Sequence, residues 1–220
     1  MQLEGKRLYF IGDSITEGAC TSGEGYRYWE LLAARTGAIC TADGRGGSCI
    51  ARQHHPENME WNGNIRNHFC TRLGDVDEQA DVVVVFGGVN DFGHGDAPLG
   101  TMDDRSEDTF YGALHVLYGT LIARCPQARV VVMTPLHFAE EDSLFRGDGS
   151  KRAGLLADYV RIIREVAEFY SLPILDMYAT SGLQPRISAI RERYMPDGLH
   201  PNDEGQNRLA DCVEAFLRAL

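Results

Sequence analysis

A run of four valines and a phenylalanine limits the folds open to this chain more than any other segment. It lies in residues 81–86, where Asp81 precedes the apolar residues. Central strands of a parallel sheet are buried on both faces, so they appear in a sequence as continuous apolar runs rather than as alternating ones. The segment therefore predicts a central strand of a parallel sheet.

Short apolar runs alternate with longer stretches of helical period along the rest of the chain. This order is typical of strand and helix units that build a parallel sheet, and it predicts an α/β fold. The predicted strands are residues 7–11, 38–41, 81–86, 129–134 and 173–176, and the predicted helices are residues 25–36, 107–124, 151–170 and 203–219, with a further helix near 62–73. A polar segment rich in glycine and aspartate, residues 93–104, is predicted to be a long loop.

Length and charge restrict the domain organisation and the partners. A chain of 220 residues is predicted to form one domain over residues 1–220. Its formal net charge of −11 argues against nucleic acid and anionic membranes as partners, because both are bound mainly through lysine and arginine. The longest apolar run, residues 82–86, is too short to span a bilayer, so no stable membrane insertion is expected.

The N-terminus and the cysteines indicate a cytoplasmic protein. Residues 1–7 carry charge and lead directly into the first predicted strand, without the apolar stretch of a signal peptide. The six cysteines are scattered without Cys-x-x-Cys pairs, so neither a zinc site nor a redox motif is predicted. His54 and His55 adjoin a proline in a polar stretch, which predicts an exposed loop rather than a metal-binding pair.

A turn with the sequence Gly-Asp-Ser-Ile-Thr-Glu-Gly, residues 12–18, follows the first predicted strand. Ligands of open parallel sheets bind beyond the carboxyl ends of the strands, so the Ser14 hydroxyl is a candidate nucleophile. An ordinary turn, in which Asp13 and Ser14 cap the chain locally, explains the same residues equally well.

A serine nucleophile needs an imidazole to take its proton and a carboxylate to orient that imidazole. Asp197 and His200 stand three positions apart just before the last predicted helix, and they can supply both groups. The spacing is common by chance, and Asp91 and His94 repeat it. Spacing alone therefore does not choose between the two pairs.

Glycine-rich loops follow the second and third predicted strands, at residues 43–48 and 87–91. Acyl transfer needs donors aimed at the oxygen that becomes negative, and glycine N–H groups together with the Asn90 amide can provide them. Glycine and asparagine are also common turn formers, so either loop alone is more typical of a structural turn.

Taken together, these segments resemble the SGNH hydrolases, the GDSL-like lipase/acylhydrolase family, block by block and in the family's order. Ser14 lies in the Gly-Asp-Ser block, and Gly47 matches the glycine that closes the second block. Asn90 lies in the Gly-x-Asn-Asp block, and the terminal Asp-x-x-His block is matched by Asp197 and His200. The anchor points span residues 8–201.

One position departs from the family pattern. The second block usually opens with an asparagine five residues before its glycine, and this chain has Ala42 there, with Asp43 beside it. The change removes an amide that would brace the loop that contains Gly47.

The resemblance implies a flavodoxin-like, three-layer α/β/α sandwich of about five parallel strands with helices on both faces. It implies hydrolysis of small-molecule esters or thioesters without a metal or an organic cofactor. Ser14 would attack the carbonyl carbon, His200 would act as general base and then general acid, and Asp197 would orient His200. The N–H groups of Ser14 and Gly47 and the Asn90 amide would form the oxyanion hole.

Four further side chains near the predicted strand ends are candidates for lining the substrate pocket: Asp13, Phe92, His94 and His137. For His137, a structural role is the alternative. The acyl group stays open, with sugar acetates, lysophospholipids and thioesters as options.

Two other functions are consistent with the same residues. In the first, the chain is a flavodoxin-like module whose Ser14 turn binds a phosphate or a flavin. In the second, it is a catalytically inactive ligand binder on the hydrolase fold, with His200 turned away from Ser14.

Overall fold

The computed structural model describes residues 1–54, 60–61, 64–65 and 68–220. Its centre is a parallel sheet of five strands in the order β2-β1-β5-β6-β7. These strands are β1 (Arg7–Gly12), β2 (Ile39–Gly44), β5 (Val82–Phe86), β6 (Arg129–Met133) and β7 (Ile174–Leu175). The predicted five-stranded parallel sheet and the flavodoxin-like α/β/α sandwich are confirmed. A separate antiparallel pair consists of β3 (Glu60–Trp61) and β4 (Asn64–Ile65).

Helices cover both faces of the sheet. They are α1 (Ser14–Glu17), α2 (Tyr28–Thr36), α3 (Val89–Gly93), α4 (Phe110–Arg124), α5 (Leu156–Phe169), α6 (Met177–Thr180), α7 (Ser188–Tyr194) and α8 (Asp203–Ala219). None of the helices in the described part of the chain is long and apolar enough to cross a membrane.

The predicted helix near 62–73 is wrong. Residues 64–65 form β4, and a 3₁₀ helix covers Phe69–Asp75. The 3₁₀ helix packs against α4 and buries Phe69, Cys70, Arg72 and Leu73. A 3₁₀ helix has three residues per turn, so side chains three positions apart lie on the same side of it. Phe69 and Arg72 therefore face the interior together, and so do Cys70 and Leu73. The other four predicted helices are confirmed: α8 has the predicted bounds, and α2, α4 and α5 begin later than predicted. For example, α4 begins after Thr109, whose hydroxyl accepts the Gly112 N–H.

The valine run is divided between two cores, as its central position predicts. Val83 and Val85 pack with α4 and α5 on one face. Val82, Val84 and Phe86 pack with α2 and α8 on the other. All five side chains are at most 2% exposed.

The carboxyl ends of β1, β2 and β5 lie side by side. In the register of the sheet, Gly12 pairs with Gly44 on one side and with Phe86 on the other. The chain therefore leaves the three strands at one edge of the sheet, and the segments that contain Ser14, Gly47 and Asn90 begin there.

Candidate active site

Ser14 is the first residue of α1, directly after the buried Asp13. The Asp13 carboxylate accepts the Ile15 N–H at 3.0 Å and so caps the short helix. Burial raises the pKa of Asp13 to about 6. Ser14 itself is 9% exposed, so its hydroxyl lies at the boundary between core and solvent.

His200 meets the Ser14 hydroxyl from the opposite end of the chain. Its Nε2 lies 2.9 Å from the Ser14 Oγ. Since Nδ1 faces a carboxylate, the consistent tautomer carries its proton on Nδ1 and accepts the hydroxyl proton at Nε2.

Asp197 completes this line of hydrogen bonds. Its Oδ2 lies 2.6 Å from His200 Nδ1, and its Oδ1 accepts the N–H groups of Leu199 at 2.9 Å and His200 at 2.7 Å. Partial burial acts to raise the pKa of Asp197, but the His200 ring and these backbone donors outweigh it and hold the pKa well below its ordinary value. The carboxylate is therefore ionised at neutral pH and can stabilise an imidazolium.

The buried side chain of Gln206 ties the start of α8 to the Ser14 turn. Its amide nitrogen donates to the Ile15 carbonyl at 3.0 Å, and its oxygen accepts the Tyr28 N–H at 2.9 Å. Gln206 is fully buried. It is a site residue that the sequence analysis missed, although its place three and four residues before Leu209 and Ala210, on the buried face of α8, was a detectable signal.

Cys20 is a second residue that the sequence analysis missed. Its Sγ lies 3.6 Å from Asp197 Oδ2, and the residue is exposed. Cys20 has a positive φ of 65°, which is uncommon for a residue other than glycine. Nothing in its local sequence distinguishes this cysteine from the other five.

The loop after β2 passes directly beside the Ser14 turn. A side chain at Gly44 would collide with the backbone of α1, and a Cβ placed on Gly46 would lie 3.9 Å from the Ser14 Cβ. Gly47 has a φ of 72°, the left-handed conformation that favours glycine. The structure therefore brings the second block next to the candidate nucleophile.

Asn90 is tied to the same loop from α3. Its side-chain amide donates to the Ser48 carbonyl at 3.1 Å, and its Oδ1 lies 3.2 Å from His94 Nε2. An amide nitrogen carries two hydrogens, so the bond to Ser48 leaves one for a ligand. Asn90 is 7% exposed, at the same boundary as Ser14.

Asp91 belongs to the frame of the site. Its two carboxylate oxygens accept the N–H groups of Ile50 at 2.8 Å and Ala51 at 2.9 Å. Burial raises its pKa to about 7, although these donors oppose the shift. Of the two Asp-x-x-His pairs, Asp197 and His200 form the one that is hydrogen bonded to the Ser14 hydroxyl. Asp91 instead binds the backbone of the segment that follows the second block.

The loop after β2 is braced by Arg72 of the 3₁₀ helix. This buried guanidinium donates to the carbonyls of Asp43 at 2.8 Å and Gly12 at 3.0 Å and to the Ser48 hydroxyl at 3.2 Å. It therefore supplies bracing donors to the loop that lacks an amide at Ala42. A lone arginine in a short helix gave no sequence signal of this role.

Two of the four pocket candidates lie in the interior, which corrects that prediction. Asp13 is 1% exposed and is occupied in capping α1. Phe92 is 0% exposed and packs edge-on against Phe138 and Tyr159 in the core. Burial of an apolar ring is favourable even when the ring belongs to a residue beside an exposed loop. The position of Phe92 in the chain therefore did not reveal that its ring points into the core.

The two histidine candidates are both partly buried. His94 remains beside Asn90 at the site. His137 lies 2.8 Å from a carboxylate oxygen of Glu141, and its ring stacks on Tyr178 with 3.9 Å between centroids. This environment fits the structural alternative for His137.

Among the described residues, two groups of side chains could supply ligands to a metal ion. One is Cys20 with Asp197 and His200, and the other is His68 with Cys70 and Glu107. The first consists of side chains already hydrogen bonded in the site, and in the second the Glu107 carboxylate lies 2.7 Å from His68 Nε2 and 2.7 Å from Arg52 Nη2. His54 is exposed, with its ring 3.2 Å from the Asp108 carbonyl, whereas His55 lies outside the described residues.

Comparisons with known proteins show which family the chain is similar to. Residues 10–208 match the GDSL-like lipase/acylhydrolase family. A GDSL lipase of Mycobacterium tuberculosis is 28% identical over 215 residues, which cover 94% of this chain and 79% of that protein.

Solved structures have the same fold. The crystal structure of a Lactobacillus plantarum protein is 30% identical, with a TM-score of 0.79 and 98% of each chain covered. The crystal structure of the acetyl xylan esterase AlAXEase is 19% identical, with a TM-score of 0.59 and coverage of 95% of this chain and 98% of that one.

Proposed function

The chain belongs to the GDSL-like lipase/acylhydrolase family, and on that premise we propose that it hydrolyses carboxylic esters through an acyl-enzyme on Ser14. The observation that carries the proposal is the continuous line of hydrogen bonds from the Ser14 hydroxyl through His200 to Asp197. In the proposal, the hydroxyl is the nucleophile, the imidazole is the base, and the carboxylate orients and stabilises the imidazole.

The first half of the reaction forms the acyl-enzyme. Ser14 Oγ attacks the carbonyl carbon of the ester while its proton moves to His200 Nε2, and the resulting imidazolium is stabilised by the ionised Asp197. The tetrahedral intermediate then collapses, the bond from carbon to the alcohol oxygen breaks, and His200 returns the proton to the leaving alcohol.

The second half releases the acid. Water gives one proton to His200 and adds to the acyl carbon, and the second tetrahedral intermediate expels Ser14 Oγ, which recovers the proton from His200. The carboxylic acid leaves, and the enzyme returns to its initial state without a metal or a redox partner.

Negative charge on the carbonyl oxygen rises in both tetrahedral intermediates. In the proposal, the N–H groups of Ser14 and Gly47 and the free amide hydrogen of Asn90 bind this oxygen. Support comes from the loop that passes beside Ser14 and from the Asn90 amide that is bonded to that loop. Removal of one such donor typically costs about 10²- to 10³-fold in rate.

The two alternative functions have less support in the structure. A phosphate at the Ser14 turn would need free backbone donors, but Asp13 takes the N–H of Ile15, and the N–H groups of Glu17 and Gly18 are bonded within the turn. An inactive binder was expected to show His200 turned away from Ser14, and the two side chains face each other at hydrogen-bond distance.

Two assays test the proposal. The wild-type protein should hydrolyse p-nitrophenyl acetate, and a fluorophosphonate should add one label, located at Ser14 by peptide mass spectrometry. Ser14→Ala should abolish both signals. Absence of labelling and of turnover in folded wild-type protein would contradict the proposal.

A substrate panel addresses the acyl group and the alcohol. It should contain p-nitrophenyl esters of increasing acyl length, an acetylated sugar, a lysophospholipid and an acyl thioester. The substrate class is the one with the highest kcat/KM, since that ratio reports differential binding of the transition state.

A further inference from the structure

Arg72 is a buried cation that lies among the segments of the proposed active site. It is 1% exposed, and its guanidinium carbon lies 4.4 Å from the centroid of the Phe69 ring. A buried guanidinium is costly unless its charge is paired and its N–H groups are bonded. The partners of Arg72 therefore show what the chain gains from placing it there.

The guanidinium connects two of the turns that form the site. Its Nη2 donates to the carbonyl of Gly12, two residues before Ser14, and to the Ser48 hydroxyl. Its Nη1 donates to the Asp43 carbonyl and lies 3.2 Å from an oxygen of the Asp43 carboxylate. One rigid planar group thus fixes the end of β1 relative to both ends of the loop that contains Gly47.

The third segment of the site, which contains Asn90, is connected to Arg72 through Ser48. The carbonyl of Ser48 accepts the Asn90 amide, while its hydroxyl accepts from Arg72. A continuous set of bonds therefore runs from the strand before Ser14, through Arg72 and Ser48, to the side chain of Asn90. These are the segments that carry the three donors of the proposed oxyanion hole.

We propose that Arg72 is a positioning residue of the reaction, which holds the donors of Ser14, Gly47 and Asn90 at the spacing that the tetrahedral intermediate requires. The proposal rests on the proposed esterase function. Arg72 acts through the backbone and through Ser48, without touching the substrate. A lysine at this position would keep the charge but lose the planar fork that reaches Gly12, Asp43 and Ser48 together.

The test compares Arg72→Lys and Ser48→Ala with wild type and with Arg45→Lys as the matched control. Arg45 belongs to the same loop, but its side chain is 39% exposed and pairs with Asp43 and Asp75. Each variant is measured for kcat, for KM, and for the inhibition constant of a trifluoromethyl ketone, which mimics the tetrahedral intermediate. Circular dichroism and thermal unfolding establish the folded fraction.

We expect Arg72→Lys to lower kcat about 10- to 100-fold with KM within threefold of wild type, somewhat less than the loss of an oxyanion donor outright. Affinity for the ketone should fall by the same factor as kcat/KM. The acid limb of the pH–rate profile should not move, because the contact between His200 and Asp197 is unchanged. Ser48→Ala should show a smaller loss of the same kind, and Arg45→Lys should stay within twofold of wild type.

The proposal is overturned if folded Arg72→Lys keeps kcat and ketone affinity within twofold of wild type. If Arg72→Lys does not fold, the kcat and the ketone affinity of Ser48→Ala test the proposal instead. That variant removes one acceptor of the Arg72 guanidinium and leaves Arg72 paired with Asp43. A loss confined to thermal stability would also overturn the proposal. Failure of the esterase function itself looks different, since wild-type protein would then have no turnover to lose.

Discussion

The Oγ of Ser14 lies 2.9 Å from the Nε2 of His200, although 186 positions separate the two residues in the chain. Ser14 begins the first helix after β1, and His200 stands just before α8. Gln206 of α8 bonds the Ile15 carbonyl and so joins the two segments next to the contact. The contact is thus supported by a buried hydrogen bond between the same two regions.

The first prediction concerns the hydroxyl and the imidazole. Ser14→Ala and His200→Ala should each lower kcat by about 10⁴-fold or more, because the hydroxyl forms the acyl bond and the imidazole moves its proton. The double variant should be little worse than either single one, since residues that act as a unit are not additive. Steady-state kinetics with p-nitrophenyl acetate measure this. Multiplying losses in the double variant would show that the two residues act independently.

The second prediction concerns the charge of Asp197. Asp197→Asn should lower kcat by about 10⁴-fold, because an amide no longer fixes the tautomer of His200 or stabilises its charged form. Since the His200 ring and the backbone donors lower the pKa of Asp197, this carboxylate is ionised throughout the assay range. Steady-state kinetics of Asp197→Asn with p-nitrophenyl acetate measure the loss. An Asp197→Asn variant that keeps kcat within tenfold of wild type would contradict the orienting role of this carboxylate.

The same residue gives a third prediction, on stability. The pKa of Asp197 is lower in the folded protein than in the unfolded chain. Its ionised form therefore contributes stability that is present above the unfolded value of about 3.9 and is lost as the pH falls toward the folded value. Urea unfolding should show a larger difference between wild type and Asp197→Asn at pH 6 than at pH 3. An equal difference at the two pH values would mean that the charge makes no contribution.

The fourth prediction concerns Gln206. Gln206→Leu should lower the free energy of unfolding by about 2–4 kcal/mol, because it leaves the Tyr28 N–H and the Ile15 carbonyl buried without this partner. Asn207→Ala, at the exposed neighbouring position, should change it by at most about 0.5 kcal/mol. Chemical denaturation measures both. Equal effects of the two variants would show that the Gln206 bonds add nothing to stability.

The sheet could be predicted from the sequence because each of its strands is a local apolar segment. Residues 82–86 are all apolar, so this segment alone predicts a strand that is buried between two layers of helices. The observed β5 has these bounds. The 3₁₀ helix at Phe69–Asp75 could not be predicted in the same way. It packs against α4, and no local period of the sequence encodes that contact.

The residues of the candidate site likewise fall into those that could be predicted from local sequence and those that could not. Ser14, Asn90, Asp197 and His200 could be predicted because their blocks combine residue type, order and position after a strand. Arg72 is different, since only the folded structure shows that a cation between Leu73 and Thr71 turns inward to Gly12. Residue type alone predicts that an arginine is exposed.

The last prediction concerns the exposed Cys20, whose sulfur lies 3.6 Å from the Asp197 carboxylate. Alkylation with N-ethylmaleimide would place a bulky group against this carboxylate, so it should inactivate the enzyme. Partial burial and the negative charge of Asp197 raise the pKa of the thiol, so little of the reactive thiolate is present at neutral pH and inactivation should accelerate as the pH rises.

Cys20→Ser should resist this inactivation, whereas Cys212→Ser, which changes a partly buried cysteine of α8, should be inactivated like wild type. The measurement is residual esterase activity against time of treatment, with the modified cysteine identified by peptide mass spectrometry. Equal inactivation rates of Cys20→Ser and wild type would place the sensitive thiol elsewhere. A bound competitive inhibitor should slow both the inactivation and the labelling of Cys20, because an occupied site limits access of the reagent to the thiol beside Asp197.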